Sequence, residues 1–422
     1  MDLRYKLNDR PPLGQLLMYS MQWFVLAVAV VTTSLFIAVG SPAERVLYAQ
    51  KVFALMGVAT IVQALWGHRM PIVVGPASVL LVGIITALAA QGEAVNTNKI
   101  YTALIVGGVI VTLLSLGRMI ERLQSIFTPR IVIVIMMLIA FTLGPTIKNL
   151  IFPAGEEARH VFGLWFTLLG VPAMALASSK LRGVAKSLLV PAALIVGCVI
   201  YYSIYGGLGS VMDKFSASEG ALLLPALEVD WSMIAAFVFC YIALLINDIG
   251  SIQSLGAMLQ VEDLQKRSRR GVSLTGLFNI AAGAMGVIGP VNYSMSPGVI
   301  ASSNCASRYA IVPAGLALVV CAFVPDLIAV MSAIPNTVIG VILLYLMGTQ
   351  LAASFSMLAT SDSARNFEEC LIVGLPVMVA LVFGIIPMSV IPAMLRPIIG
   401  NGFVMGVVTV MLLEHVILRQ KK

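Results

Sequence analysis

Residues 239–258 read FCYIALLINDIGSIQSLGAM, a long apolar segment that holds a single carboxylate, Asp248. A helix needs about 20 mainly apolar residues to cross the hydrocarbon core of a bilayer. The segment therefore predicts a transmembrane helix. A carboxylate at that depth is energetically costly and marks a functional site by default. Asp248 is the first candidate functional residue.

The composition of the whole chain agrees with this segment. Of 422 residues, 59% are hydrophobic and 11% are charged, and the mean hydropathy is +1.00. Soluble domains carry roughly 25% charged residues, so the composition excludes a soluble enzyme, a nucleic-acid-binding protein and a disordered chain. The five cysteines have neither paired nor metal-ligand spacing. We expect a polytopic membrane protein with no metal and no cofactor.

Fourteen apolar segments predict fourteen spans. They are residues 14–40, 46–66, 71–91, 100–120, 129–147, 163–179, 186–206, 232–259, 271–291, 293–305, 309–331, 336–358, 367–389 and 397–417. With the N-terminus inside, 19 of the 26 Lys and Arg residues fall in cytoplasmic loops and 7 fall outside. Cytoplasmic loops of membrane proteins are enriched in Lys and Arg. The split predicts an even number of spans in a cell membrane, with both termini in the cytoplasm.

The middle of the chain divides the spans into two sets of seven. An extracytoplasmic connecting loop at 208–231 separates residues 1–207 from residues 232–422. Because seven is odd, the second half is inverted relative to the first, as in many secondary transporters. The predicted fold is an all-α membrane protein built as a 7+7 inverted repeat.

Spans 3 and 10 are predicted to be broken. In RMPIVVGPASVLLVG (69–83), two prolines bracket a short extended piece at 72–75 before the helix restarts, and VNYSMSPGVIASSN (291–304) repeats the order. Extended backbone at membrane depth is tolerated where it lines a cavity or is buried in protein. Half-helix N-termini at such breaks suit a ligand rich in carbonyl oxygens or negative charge. Simple proline kinks are the alternative.

The polar patch around Asp248 has two faces. Asn247 and Ser251 share one face of a helix, and Asp248 points about 100° away. A polar contact within the bundle is the alternative to a ligand site. Further candidates lie on the first span and around the two breaks: Gln22, Ser78, Tyr293, Met295, Ser296 and Gly298. His68, at the inner end of the second span, and His160, in an outside loop, are set aside as proton carriers.

Five stretches resemble the nucleobase–cation symporter family, the nucleobase–ascorbate (xanthine/uracil permease) group, and in particular a divergent branch of purine-permease-like proteins. They are GHRMPIVVGP (67–76), NDIGS (247–251), SPGVIASSNCASR (296–308), SAIPNTVIGVILL (332–344) and SARNFEECLIVGLP (363–376). In the tenth-span signature, Gly298 and Ser303 match while Met295 and Ser296 depart. In the eighth span, Gly250 matches, but Asn247 stands at the family's Glu position and Ser251 at its proton-linked position.

The resemblance implies a secondary active transporter of a purine or pyrimidine base, not an enzyme. It implies a core domain of spans 1–4 and 8–11, a gate domain of spans 5–7 and 12–14, an elevator-like cycle and a homodimer formed through the gate. From the residues and the resemblance together, the candidate substrate-binding residues are Asn247, Asp248, Ser251, Ser78, Met295, Ser296, Gly298, Gln22 and Tyr293. Asp248 is also the candidate for coupling to a proton or a sodium ion.

The sequence also leaves two other functions open. An anion carrier of the sulfate-permease type shares the inverted fold, although the chain ends soon after the last span and Asp248 would repel a dianion. A membrane enzyme or assembly factor is the third reading. No nucleophile–base pair, metal spacing or phosphate loop in the sequence supports it.

Overall fold

The computed structural model describes residues 3–37, 42–91, 96–117, 128–153, 157–181, 189–206, 209, 225–293, 296–324, 326–328, 334–361, 364–392 and 395–418. The helices before the connecting loop are α1 (Leu13–Thr32), α2 (Pro42–Leu65), α3 (Ser78–Gln91), α4 (Thr97–Leu116), α5 (Pro129–Thr142), α6 (Gly144–Ile151), α7 (Glu157–Lys180) and α8 (Leu189–Tyr205). Strand β1 (Val74–Pro76) precedes α3.

The second half repeats this order. Its helices are α9 (Trp231–Met258), α10 (Leu264–Met285), α11 (Ser296–Ser303), α12 (Val312–Ala322), α13 (Asn336–Thr360), α14 (Phe367–Gly384), α15 (Arg396–Ile399) and α16 (Gly402–Leu412). Strand β2 (Pro290–Asn292) precedes α11, and a π-helical turn (Leu413–Ile417) extends α16.

Local sequence signals set several helix ends. The side chains of Asn96, Thr128, Asn366 and Asn401 each accept a hydrogen bond from a backbone N–H in the first turn of the helix that follows. Such caps satisfy N–H groups that have no partner inside the helix. Gly286 ends α10 with a left-handed φ of 71°, a conformation that costs glycine little.

The apolar segments form helices that can cross a membrane. Among the described residues, eight helices are long and apolar enough to do so, and four apolar helices are shorter. Each of the fourteen predicted segments overlaps a described helix, while the count of fourteen spans stays a prediction. The basic run at 266–270 lies in the first turns of α10 and not in a loop, because Lys and Arg are good helix formers.

The helices pack as two groups. In the first, α10 packs on α4, α12 packs on α2, and α9 contacts α3 and α4. In the second, α14 packs on α16, and α13 packs on α5, α6 and α7. The first group holds both strands and the polar patch of α9.

A buried ion-pair cluster ties three elements of the second group together. Nη2 of Arg130, at the start of α5, lies 2.7 Å from Oε1 of Glu369 on α14, and Nη1 lies 3.4 Å from Oε2 of Glu414 in the π-helical turn. The side chains of these three residues are 16%, 6% and 8% exposed. Because charges so deeply buried are costly without a partner, this cluster fixes the ends of three helices against one another.

Strands β1 and β2 pair antiparallel, although more than 200 residues separate them. Val74 pairs with Asn292, Gly75 with Val291 and Pro76 with Pro290. Helix α3 begins two residues after β1, and α11 begins four residues after β2. The predicted extended piece at 72–75 overlaps β1, whereas β2 lies before the predicted Met295–Ser296 break.

Only glycine fits at the centre of β1. A Cβ atom on Gly75 would lie within 3.0 Å of the Tyr293 ring and still closer to the Val30 side chain. The lack of a side chain therefore lets the two strands and α1 come together.

Candidate functional site

The polar patch of α9 presents two different environments. Asn247 is partly buried, and its side chain has no hydrogen bond among the described residues. Gly250, on the same side of the helix, is exposed, with no atom within 4 Å of where a Cβ would lie. The Ser251 hydroxyl donates to the Asn247 carbonyl oxygen at 2.9 Å, so its proton is used within α9. The Asn247 amide is thus left available to a ligand.

Asp248 faces β2 instead. Its side chain is fully buried, and Oδ1 accepts hydrogen bonds from the Asn292 backbone N–H at 2.9 Å and from Asn292 Nδ2 at 2.8 Å. The Thr275 hydroxyl also interacts with this carboxylate, but Oδ2 has no partner within hydrogen-bond geometry in the described part of the chain. No Lys or Arg pairs with Asp248 among the described residues. The Asp248 carboxylate therefore holds the end of β2 through Oδ1, and Oδ2 is left without a hydrogen bond in the described part of the chain.

Asn292 extends this contact to His68. Asn292 Oδ1 lies 3.1 Å from His68 Nε2, and His68 Nδ1 accepts the Met70 backbone N–H at 3.0 Å. Because Nδ1 accepts a hydrogen bond, the ring proton belongs on Nε2, which donates to Asn292. The imidazole is neutral in this arrangement. Asp248, Asn292 and His68 form one buried chain of hydrogen bonds from α9 through β2 to the turn after α2.

Helix α10 supplies a second set of polar contacts below β2. Gln63 Nε2 donates to the Gly271 carbonyl at 2.8 Å and to Thr275 Oγ1 at 3.1 Å, and the same hydroxyl lies 3.4 Å from Asn292 Nδ2. One turn along, Asn279 Nδ2 donates to the Pro290 carbonyl at 2.9 Å. Strand β2 is therefore held by side chains of α10 in addition to its pairing with β1.

Tyr293 and Ser296 brace the two breaks against each other. The Tyr293 hydroxyl donates to the Pro76 carbonyl at 2.7 Å and interacts with Ser78, the first residue of α3. Ser296, the first residue of α11, is buried; its Oγ accepts the Val73 N–H and donates to the Tyr293 carbonyl, both at 3.1 Å. These three predicted residues hold the half-helices in register.

The remaining predicted residues are more dispersed. Gln22 lies on α1, partly buried and with no hydrogen bond among the described residues. Gly298 lies within α11, and Met295 falls outside the described residues. In that part of the chain no group of three His, Cys, Asp or Glu side chains is placed to hold a metal ion.

Sequence reasoning missed His68 and Asn292 as members of the network. His68 sits in a turn and Asn292 in a three-residue strand, so neither interrupts a long apolar segment as Asp248 does. The sequence signal that could have identified them is that each lies within a few residues of a proline at one of the two breaks.

Long apolar helices around a buried polar network and two paired strands define a multi-pass integral membrane protein of the transporter class. Residues 14–393 match the family described as "Permease family". The chain belongs to this family, the xanthine/uracil permeases of the nucleobase–ascorbate transporter group. It is therefore a permease and not an enzyme.

Relatives of known name are permeases, and a solved transporter structure shares the fold. The chain is 25% identical over 393 residues to the uric acid permease PucJ of Bacillus subtilis, covering 87% of this chain and 84% of that protein. It is 24% identical over 457 residues to the xanthine permease XanP of Escherichia coli, covering 100% and 96%. The transmembrane domain of the cyanobacterial bicarbonate transporter BicA shares the fold with a TM-score of 0.63 at 14% identity, covering 89% of this chain and 98% of that one.

Proposed function

We propose that this protein is a secondary active transporter that moves a purine or pyrimidine base of the xanthine/uracil type across the cell membrane. The names of the full-length relatives support this substrate class. The proposal includes fourteen spans in an inverted repeat, spans 3 and 10 broken, and both termini in the cytoplasm.

The single observation that carries the proposal is the antiparallel pairing of β1 with β2, each followed by a short helix. This brings the N-termini of α3 and α11 to one place beside α9. Helix N-termini present backbone N–H groups and partial positive charge, which suit the carbonyl oxygens of a nucleobase. The free Asn247 amide can donate to a ring carbonyl and accept from a ring N–H. Gln22 offers the same chemistry from α1.

The two packing groups support an elevator-like cycle. The group built on α2, α4, α9, α10 and α12 would be the core that carries the ligand. The group built on α5, α13, α14 and α16 would be the gate, which also provides a homodimer surface.

For the coupled ion, the geometry favours a proton on Asp248. A hard cation such as sodium needs several oxygen ligands, and Asn292 Oδ1, the amide oxygen next to this carboxylate, already faces His68 Nε2. A proton needs only Oδ2, which is buried and lacks a hydrogen-bond partner among the described residues.

An anion carrier is the second candidate, favoured only by the fold it shares with the bicarbonate transporter. A likeness at 14% identity concerns the fold and not the cargo. The buried Asp248 would also repel an anion.

Uptake by proteoliposomes containing the purified chain tests the proposal. We expect radiolabelled xanthine, urate, hypoxanthine or uracil to accumulate when a pH gradient, acid outside, is imposed. Empty liposomes control for leakage, and an uncoupler that collapses the pH gradient should abolish the accumulation. Uptake of bicarbonate or sulfate, with none of any base, would refute the nucleobase proposal.

A further inference from the structure

A cluster of arginines lies on one face of the first helix group. It is built from four segments, residues 3–10, 66–70, 260–271 and 304–309. Together they hold nine Lys and Arg residues against three acids, Asp9, Glu262 and Asp263. In the proposed orientation this face is cytoplasmic.

The N-terminal segment is part of the cluster because it is docked. Residues 4–9 run alongside 304–308: Arg4 N–H donates to the Asn304 carbonyl at 2.9 Å, and Arg308 N–H donates to the Leu7 carbonyl at 3.1 Å. This pairing carries Arg10 onto the ring of Tyr309. The guanidinium carbons of Arg10 and Arg308 each lie 4.9 Å from the ring centroid.

A second group of guanidinium groups lies beside the first. Arg267 Nη1 donates to the carbonyls of His68 and Arg69, both at 3.2 Å. Repulsion from Arg308, Arg69 and Arg270 acts on Arg267, and Asp263 attracts it. No ion pair among the described residues involves Arg10, Arg69, Arg267, Arg270 or Arg308. The Nε of Arg308 is a buried donor without an acceptor in the described part of the chain.

We infer that Arg10, Arg69, Arg267, Arg270 and Arg308 form a binding site for the phosphodiester headgroup of an anionic phospholipid. Guanidinium groups match phosphate oxygens with paired hydrogen bonds. The inner leaflet of a cell membrane presents anionic headgroups to basic residues on its cytoplasmic side, where the proposed orientation places this cluster. A bound headgroup would offset the repulsion among the arginines and hold the N-terminal segment on the segment after α11.

Lipid titration of the full chain in detergent tests this site. The unfolding midpoint is followed with added phosphatidylglycerol, phosphatidylcholine or inorganic phosphate. We expect phosphatidylglycerol alone to raise the midpoint. An equal effect of phosphatidylcholine would overturn recognition of an anionic headgroup. An equal effect of inorganic phosphate would overturn the assignment to a lipid and show that the site binds free phosphate.

A charge variant locates the site. Each basic residue near an anionic surface contributes about fivefold to affinity, so the double variant R10Q/R270Q should bind phosphatidylglycerol about 30-fold more weakly. Both side chains are exposed, and Lys148→Gln on α6 is the matched control, expected to bind normally. Unchanged lipid affinity in R10Q/R270Q would overturn the assignment. If that double variant does not fold, R69Q, with an expected loss of about fivefold, decides in its place.

Discussion

Asp248→Asn separates binding from coupling. Asparagine keeps the shape of the side chain, and its carbonyl oxygen can take the place of Oδ1, which accepts both hydrogen bonds from Asn292. The amide NH₂ then occupies the position of Oδ2, which has no hydrogen-bond partner among the described residues. The variant therefore resembles the protonated carboxyl group but cannot release a proton.

The size of the effect follows from the energy that a proton gradient supplies. A proton moving down a pH difference of one unit releases about 1.4 kcal/mol, which sustains about a tenfold accumulation of a co-transported solute. We expect the unaltered protein to reach a ratio near tenfold in proteoliposomes under that gradient. In Asp248→Asn the ratio of internal to external base should fall to about one, because no proton is transported together with the base.

The assay measures internal base at steady state, together with exchange of labelled for unlabelled base without a gradient. Exchange should persist in Asp248→Asn, since the amide preserves the contacts to β2. Glu368→Gln, which removes an exposed carboxylate at the start of α14, is the matched control and should still accumulate tenfold. A tenfold ratio in Asp248→Asn would refute the assignment of the coupled proton to this carboxylate.

Three further predictions address the ligand, the network and the second helix group. Asn247→Ala should raise the Kd for the base about tenfold, since one hydrogen bond is worth roughly 1.5 kcal/mol; a titration that gives an unaltered Kd contradicts its role. Asn292→Ala leaves the buried His68 Nε2 donor without its partner, at about 1–3 kcal/mol, and removes one of the two hydrogen bonds to Asp248 Oδ1, since the backbone N–H remains; its unfolding midpoint should drop clearly, and an unchanged midpoint would show that the hydrogen-bonded chain is not stabilising. Arg130→Met strands Glu369 and Glu414 as buried charges and should destabilise the protein by about 3–5 kcal/mol, with partial recovery in the double variant with Glu369→Gln; equal loss in both would argue against an electrostatic cause.

The sequence was sufficient for the helices because a 20-residue apolar segment admits few alternatives in a membrane. The prolines at 71 and 76 likewise predicted an extended piece that overlaps β1. The partner of β1 was not predictable, since its register depends on Asn292, Val291 and Pro290, which are remote in the chain and carry no pattern of their own. Pairing between such short strands is decided by tertiary packing, as the absence of a side chain at Gly75 illustrates.

The candidate site was predicted in part. Helical phase alone indicated that Asn247 and Asp248 point in different directions, and the structure has the first partly exposed and the second fully buried. The phase could not tell which face meets β2. His68 was set aside as a proton carrier because it lies at the inner end of the second span, and the structure has it buried against Asn292.

In the proposed transport cycle, the same geometry gives a physical link between the ion and the base. Asp248 does not share the face of α9 that carries Asn247, so the proposed coupled ion would act on the proposed ligand site through β2. Both hydrogen bonds to Oδ1 come from Asn292, and a carboxylate accepts more strongly than a neutral carboxyl group. Protonation would therefore loosen the end of β2, four residues before α11 begins. Because linkage is reciprocal, a base that prefers one position of α11 must also change the proton affinity of Asp248.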